Sequence, residues 1–139
     1  DQLLTANQEL AQINDAQTQA YLASFDDVST AREVVSKIVQ KLPDGPPNQS
    51  QISEALNVSN RTLQRKLKDE GTSFVDLLQD TRLELARKYL NNPARSISEI
   101  AYLLGFSEPS TFSRAFKRWT GAAPADYRHS LQQPSKEDS

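Results

Sequence analysis

The sequence predicts an all-α fold in which two helix-turn-helix lobes, homeodomain-like in plan, are joined by one long helix. Three observations predict it. Apolar residues recur at three- and four-residue spacing through most of the 139 residues, and strand-like alternation is nearly absent. Turn-forming residues cut that pattern at Pro43–Pro47, Gly71, Asn91-Asn92-Pro93 and Gly121. A unit of short helix, tight corner and capped helix occurs twice, 48 to 49 residues apart.

Taken in order, residues 1–25 hold no Pro or Gly, and Leu3, Leu4, Leu10, Ile13, Tyr21, Leu22 and Phe25 form a loose helical stripe. Asn7, Asn14 and Gln17 interrupt any clean heptad, which favours a plain linker helix over a dimerisation helix. Asp26–Ser29 offers an N-cap for a helix with Val34, Val35, Ile38, Val39 and Leu42 on one face. After the Pro43-Asp44-Gly45-Pro46-Pro47 break, Asn48 caps a short helix carrying Ile52, Ala55 and Leu56 inward. Asn57-Val58 forms a tight corner, and Ser59 caps a helix that runs toward Asp69 and ends at Gly71. Thr72 or Ser73 caps the longest helix, whose inward face is Phe74, Leu77, Leu78, Leu85, Ala86 and Tyr89.

The unit then recurs. Ser96-x-x-Glu99 is a capping box, with Ile97, Ile100, Ala101 and Leu104 inward. Gly105 is the corner, and Ser107 is expected to cap a helix that ends at Gly121. Pro124 opens a last short helix near Tyr127, followed by a polar tail expected to be disordered, with His129 a solvated residue beside it. The expected divisions are a helical linker over 1–27, a first lobe over 28–71, a connecting helix over 72–92, a second lobe over 93–130 and a tail over 131–139.

The two units superimpose residue by residue. Ile52, Leu56, Asn57, Val58 and Ser59 match Ile100, Leu104, Gly105, Phe106 and Ser107 at 48, and Leu63, Arg65, Leu67 and Lys68 match Phe112, Arg114, Phe116 and Lys117 at 49. The corner calls for positive φ, which suits Gly105 and which Asn57 tolerates. Leu63 and Leu67 face inward, so Arg61, Gln64, Arg65 and Lys68 fall on the outer face. Phe112, Phe116 and Trp119 face inward in the second unit, as core packing and not as a base-stacking stripe. Arg and Gln are the side chains that pair with guanine and adenine edges in the major groove. The hydroxyls of Ser59, Thr62, Ser107 and Thr111 and the cations of Lys66, Lys68, Lys117 and Arg118 are candidates for phosphate contact; the cations could equally serve only to solvate a face. Arg82, Arg87 and Lys88 read as structural ion-pair partners of Asp80 or Glu84. Residues 73–90 span about 27 Å, against about 34 Å for one DNA turn.

Composition narrows the function classes. With no Cys, thiolate metal sites are excluded, and with a single His, sites built on paired histidines are too; no cofactor or catalytic constellation is visible. No apolar run is long enough to span a membrane, and the composition reads as soluble and cytoplasmic. The net charge is −2, but residues 1–54 hold 3 basic and 8 acidic side chains, whereas residues 55–128 hold 12 basic and 8 acidic. Such asymmetry is compatible with a nucleic-acid face beside an acidic segment.

At Arg82-Leu83-x-x-Ala86, Ile97-x-x-Ile100-Ala101-x-x-x-Gly105-Phe106, Ser107-x-x-Ser110-x-Phe112-x-Arg114-x-Phe116-Lys117-x-x-x-Gly121-x-x-Pro124-x-x-Tyr127-Arg128 and Leu63-Gln64-Arg65-x-Leu67, the sequence resembles the AraC/XylS family of bacterial transcription regulators. The resemblance spans about residues 30–129. It implies a monomeric two-lobe domain on double-stranded promoter DNA, with base contacts from Arg61, Gln64 and Arg65 in the first unit and from Pro109, Ser110, Ser113 and Arg114 in the second. Pro109 and Ser110 depart from the long polar residues found there in other members, so the second unit is expected to read fewer bases directly. The resemblance further implies a separate N-terminal sensing or dimerisation domain in the full-length protein, and RNA polymerase as a partner in activation. The rival reading is a helical protein-interaction module that does not bind DNA.

Overall fold

A computed structural model describes residues 16–26 and 29–132, and all regular structure among them is helical. The elements are α1 (Ala16–Ala23), α2 (Thr30–Lys41), a 3-10 turn (Leu42–Asp44), α3 (Gln49–Ala55), α4 (Asn60–Asp69), α5 (Phe74–Leu90), α6 (Ile97–Leu103), α7 (Pro109–Thr120) and α8 (Pro124–Gln132). Helices α2–α4 make one lobe and α6–α8 the other, with α5 between them. α1 falls in the helical stretch expected over 1–25; residues 1–15 lie outside the described residues. No helix among the described residues is long and apolar enough to cross a membrane.

Capping explains where the helices begin. Ser29 accepts the Arg32 N–H at the start of α2, and the Glu70 carboxylate, 40 residues away, accepts those of Thr30 and Ala31 at 2.9 Å each. Three of the amides orphaned at that helix end are thereby satisfied. Asn48 with Gln51, and Ser96 with Glu99, form reciprocal capping boxes on α3 and α6. Ser73, of the two candidates, caps α5.

One buried cluster runs through both lobes. It joins Val34, Ile38, Leu42, Ile52, Leu63 and Leu67 to Leu85, Ala86, Tyr89 and Leu90 of α5 and on to Ile100, Leu104, Phe112 and Phe116. α5 lies along α2, and α1 packs on both, burying Leu22 and Thr18. The stripe of Phe112 and Phe116 is core, continued by Phe106, Trp119 and Tyr127 in edge and tilted ring contacts.

Four expectations are corrected. Ser107 does not cap α7: the N-cap is Glu108, without a side-chain bond, and the helix opens on Pro109. A proline at the first helical position needs an extended residue before it, which Glu108 is (φ −141°, ψ 140°). The extra residue of the second unit therefore lies between the corner and the helix. Ala55 is exposed, and Ser53 is buried in its place, its hydroxyl bonded to the Ser50 carbonyl and Asn60 Oδ1 at 3.0 Å each. That partnering makes a polar residue acceptable inside, which hydropathy alone ranks below alanine. The tail does not start at 131: α8 continues through Gln132, His129 is an exposed residue of that helix, and residues 133–139 lie outside the described residues. Finally, the ion pairing expected of the three connecting-helix cations holds for Arg87, with Glu84 at 3.4 Å, and not for Arg82. Arg82 instead donates from Nε to the Leu104 carbonyl at 3.0 Å and lies 4.1 Å over the Phe106 ring, while Lys88 donates to Thr18 Oγ1 at 2.8 Å. Burial lowers the Arg82 pKa from its usual value, and the guanidinium trades water for a carbonyl and a ring face.

Arg128 ties α8 to the end of α5. Its Nε donates to the Leu90 carbonyl at 3.0 Å and its Nη2 to the Tyr89 and Asn92 carbonyls at 3.5 and 3.2 Å. The Leu90 carbonyl is an acceptor that the helix C-terminus leaves open, those of Tyr89 and Asn92 also accept backbone N–H groups, and a cation suits that end of the helix dipole.

Candidate nucleic-acid interface

Both units present the same scaffold. In the first, α3 meets the positive-φ corner at Asn57 (φ 60°), and Ser59 starts α4 by accepting the Thr62 N–H at 3.1 Å. In the second, α6 meets the corner at Gly105 (φ 86°), and Glu108-Pro109 starts α7. Leu63 and Leu67, and Phe112 and Phe116, are each exposed by 1% or less and pin the two helices to the core.

With those faces buried, helical geometry decides what remains outside. Arg61, Gln64, Arg65 and Lys68 follow one another at the spacing that shares a face, and all four are exposed. Ser110, Ser113, Arg114 and Lys117 occupy the same four places 49 residues on; all are exposed except Ser113, which is half-buried. The structure thus brings eight of the expected residues into two equivalent stripes, with Lys66, Thr111 and Arg118 exposed beside them. Pro109 is half-buried at the first position of α7. Thr62 is half-buried, and its hydroxyl accepts from Ser59 Oγ at 3.0 Å, so both hydroxyls already serve the cap. Ser107 is exposed ahead of α7.

The guanidinium groups of Arg65 and Arg114 meet no carboxylate, carbonyl or ring among the described residues. Arg114 forms no ion pair with Glu108 or Asp126, the carboxylates nearest to it in sequence. Both side chains are available to a ligand.

A polar clamp escaped sequence reasoning. Asn60, the first residue of α4, receives the Ser53 hydroxyl on Oδ1 and donates from Nδ2 to Ser50 Oγ at 3.0 Å, while Gln49 Nε2 donates to its carbonyl at 3.3 Å. These bonds fix α4 on α3. The signal for it lay in the repeat: Ser53 matches Ala101, and both are small and buried.

Comparison with known proteins agrees with this geometry. A family model described as a helix-turn-helix domain matches residues 52–130. The ornithine utilization regulator of Pseudomonas aeruginosa is 37% identical over 123 residues, covering 88% of this chain and 36% of that protein. The chain spans about a third of the length of the curated relatives it matches. Among solved structures, a transcriptional regulator of Chromobacterium violaceum described as AraC-type DNA-binding superimposes with a TM-score of 0.65 at 27% identity, over 87% of this chain and all of that one. The DNA-binding domain of AdpA in complex with a target DNA superimposes with a TM-score of 0.65 at 25% identity, over 75% of this chain and 94% of that one.

Proposed function

The chain belongs to the AraC/XylS family of helix-turn-helix transcription regulators as a DNA-binding domain, and on that premise we propose that α4 and α7 read two adjacent major-groove segments of promoter DNA. The observation that carries this is the coincidence of the two exposed stripes on equivalent helices. In the first, Arg61, Gln64 and Arg65 are assigned to base edges, and Lys66 and Lys68, with Ser59 and Thr62 at the helix start, to phosphates. In the second, Pro109, Ser110, Ser113 and Arg114 face the bases, and Ser107, Thr111, Lys117 and Arg118 the backbone. The α5 helix, at 17 residues, rises about 25 Å, compatible with neighbouring groove segments on one side of the duplex. That the domain of AdpA takes a target DNA on the same fold supports the reading.

The role is recognition, not catalysis. The isolated domain binds as a monomer, because its two stripes differ and fit an asymmetric site. In the full-length cytoplasmic protein, an N-terminal domain joined through residues 1–27 supplies sensing or dimerisation, and contact with RNA polymerase activates transcription.

Selection of bound duplexes from a random pool, followed by fluorescence anisotropy against nonspecific competitor, tests the proposal. A preferred asymmetric site that survives competitor is expected. Binding that competitor abolishes, with no preferred sequence, refutes it and favours the protein-interaction reading.

A further inference from the structure

The two corners differ in what stands beside them. Asn57 is exposed, and its φ of 60° serves the first corner without glycine. At Gly105 a Cβ would lie 2.9 Å from the Leu42 carbonyl oxygen, 3.0 Å from Pro46 N and 3.1 Å from Pro46 Cδ. A corner of this kind accepts either residue; it is the approach of residues 42–46, from the other lobe, that leaves room only for glycine. That loop is stiff. It contains the 3-10 turn with Pro43 inside it, the Gly45 N–H bonded to the Leu42 carbonyl at 2.9 Å, and Pro46 and Pro47 in succession, with Leu42 and Pro47 buried. Arg82 of α5 also holds this corner, through the Leu104 carbonyl and the Phe106 ring.

We propose that this double grip on Leu104–Phe106, by residues 42–46 and by Arg82, fixes the distance and rotation between α4 and α7, so that Gly105 and Arg82 are positioning residues that set which half-site spacing the protein accepts. The proposal rests on the reading of α4 and α7 as the base-contacting helices. A connecting helix alone leaves the second lobe hinged at Asn91–Arg95, where the chain is a turn. Residues 42–46 and Arg82 act with the Arg128 bonds and the shared core to close that hinge, and they hold the corner that leads within three residues into α7. One inserted base pair displaces the second half-site by roughly 3.4 Å and turns it by roughly 35°. A hinged lobe follows such a shift; a gripped one does not.

The test titrates the whole chain by anisotropy onto duplexes carrying the selected half-sites at the selected spacing and at one or two base pairs more or less. Gly105→Asn keeps a residue that this corner conformation tolerates while adding the obstructing Cβ. A single Gly inserted after Gly45, beside which a Cβ would meet nothing within 4 Å, lengthens the loop without bulk. The unaltered protein is expected to lose about tenfold or more in affinity per base pair of spacing error, comparable to a mismatched site. Both variants should lose about threefold or less, with base preference inside each half-site unchanged, and Asn57→Gly should keep the steep dependence. Folded variants with the original spacing dependence overturn the proposal. Melting of both variants below the assay temperature also overturns it, since the contact would then serve folding alone. Absence of base preference in the unaltered protein would remove the premise itself, a result distinct from either.

Discussion

Truncating Arg65 or Arg114 to Ala should weaken specific binding while leaving stability intact. Both side chains are exposed, stand at equivalent places in the repeat and bond to nothing among the described residues, so their loss breaks no internal contact and opens no cavity. A guanidinium paired with guanine O6 and N7 contributes roughly 1–3 kcal/mol of discrimination, or about 5- to 150-fold in Kd. Surface changes of this kind alter stability by about 0.5 kcal/mol or less. Phe116→Ala is the contrasting case. Its ring is fully buried between Phe112 and Tyr127, at centroid distances of 5.8 and 5.3 Å, and its removal should cost about 3–5 kcal/mol. In a domain of this size that lowers Tm by more than roughly 10 °C. The assay measures thermal melting and selected-site preference on the same preparations. Arg65→Ala should relax preference at one or two positions in one half of the site, and Arg114→Ala in the other half about one helical turn away. Arginine variants that melt early yet retain the original preference while folded would refute the base-reading assignment.

Three further outcomes are expected. Log affinity should fall linearly with log salt, by about 0.9 per neutralised phosphate, despite the net charge of −2; a flat response between low and high salt would remove the backbone contacts assigned to Lys66, Lys68, Lys117 and Arg118. Arg128→Ala takes the donor from the Leu90 carbonyl and a second donor from those of Tyr89 and Asn92, and should cost roughly 1–3 kcal/mol in urea unfolding with base preference kept; unchanged stability would mean that solvent replaces the cap. Deleting residues 1–25 removes the buried Leu22 and the Thr18–Lys88 bond, so the midpoint of unfolding should drop while the footprint stays; loss of sequence preference would assign these residues a part in base reading.

What was legible in the sequence is what local rules govern. Caps at Ser29, Asn48, Ser59, Ser73 and Ser96, the two corners and the apolar faces of α4 and α7 each follow from a few neighbouring residues. What was not legible spans the lobes. Glu70 reaches back 40 residues to α2, Arg82 forward 22 to Leu104, and Arg128 back 38 to Leu90. A charged side chain whose partner is a distant backbone atom leaves no complementary charge in the sequence to betray it, so the nearest carboxylates looked like the partners of Arg82. The start of α7 differs from the expectation for another reason: a proline at the first helical position restricts backbone geometry itself and outweighs the serine hydroxyl two residues before it.

The same scaffold carries unequal stripes, and the proposed function makes that inequality informative. α4 offers two guanidinium groups, an amide and an ammonium, whereas α7 offers two short hydroxyls before Arg114 and Lys117. Long side chains reach base edges from a helix seated at some distance; Ser110 and Ser113 reach them only if α7 sits deeper in its groove or if water bridges the gap. Deep seating of one helix, with the other held at a fixed distance and rotation from it, leaves the duplex to adapt. The energy of that adaptation depends on the sequence between the half-sites. Selectivity at positions that no side chain touches is therefore expected to concentrate on the α7 side of the site, where direct contacts are fewest.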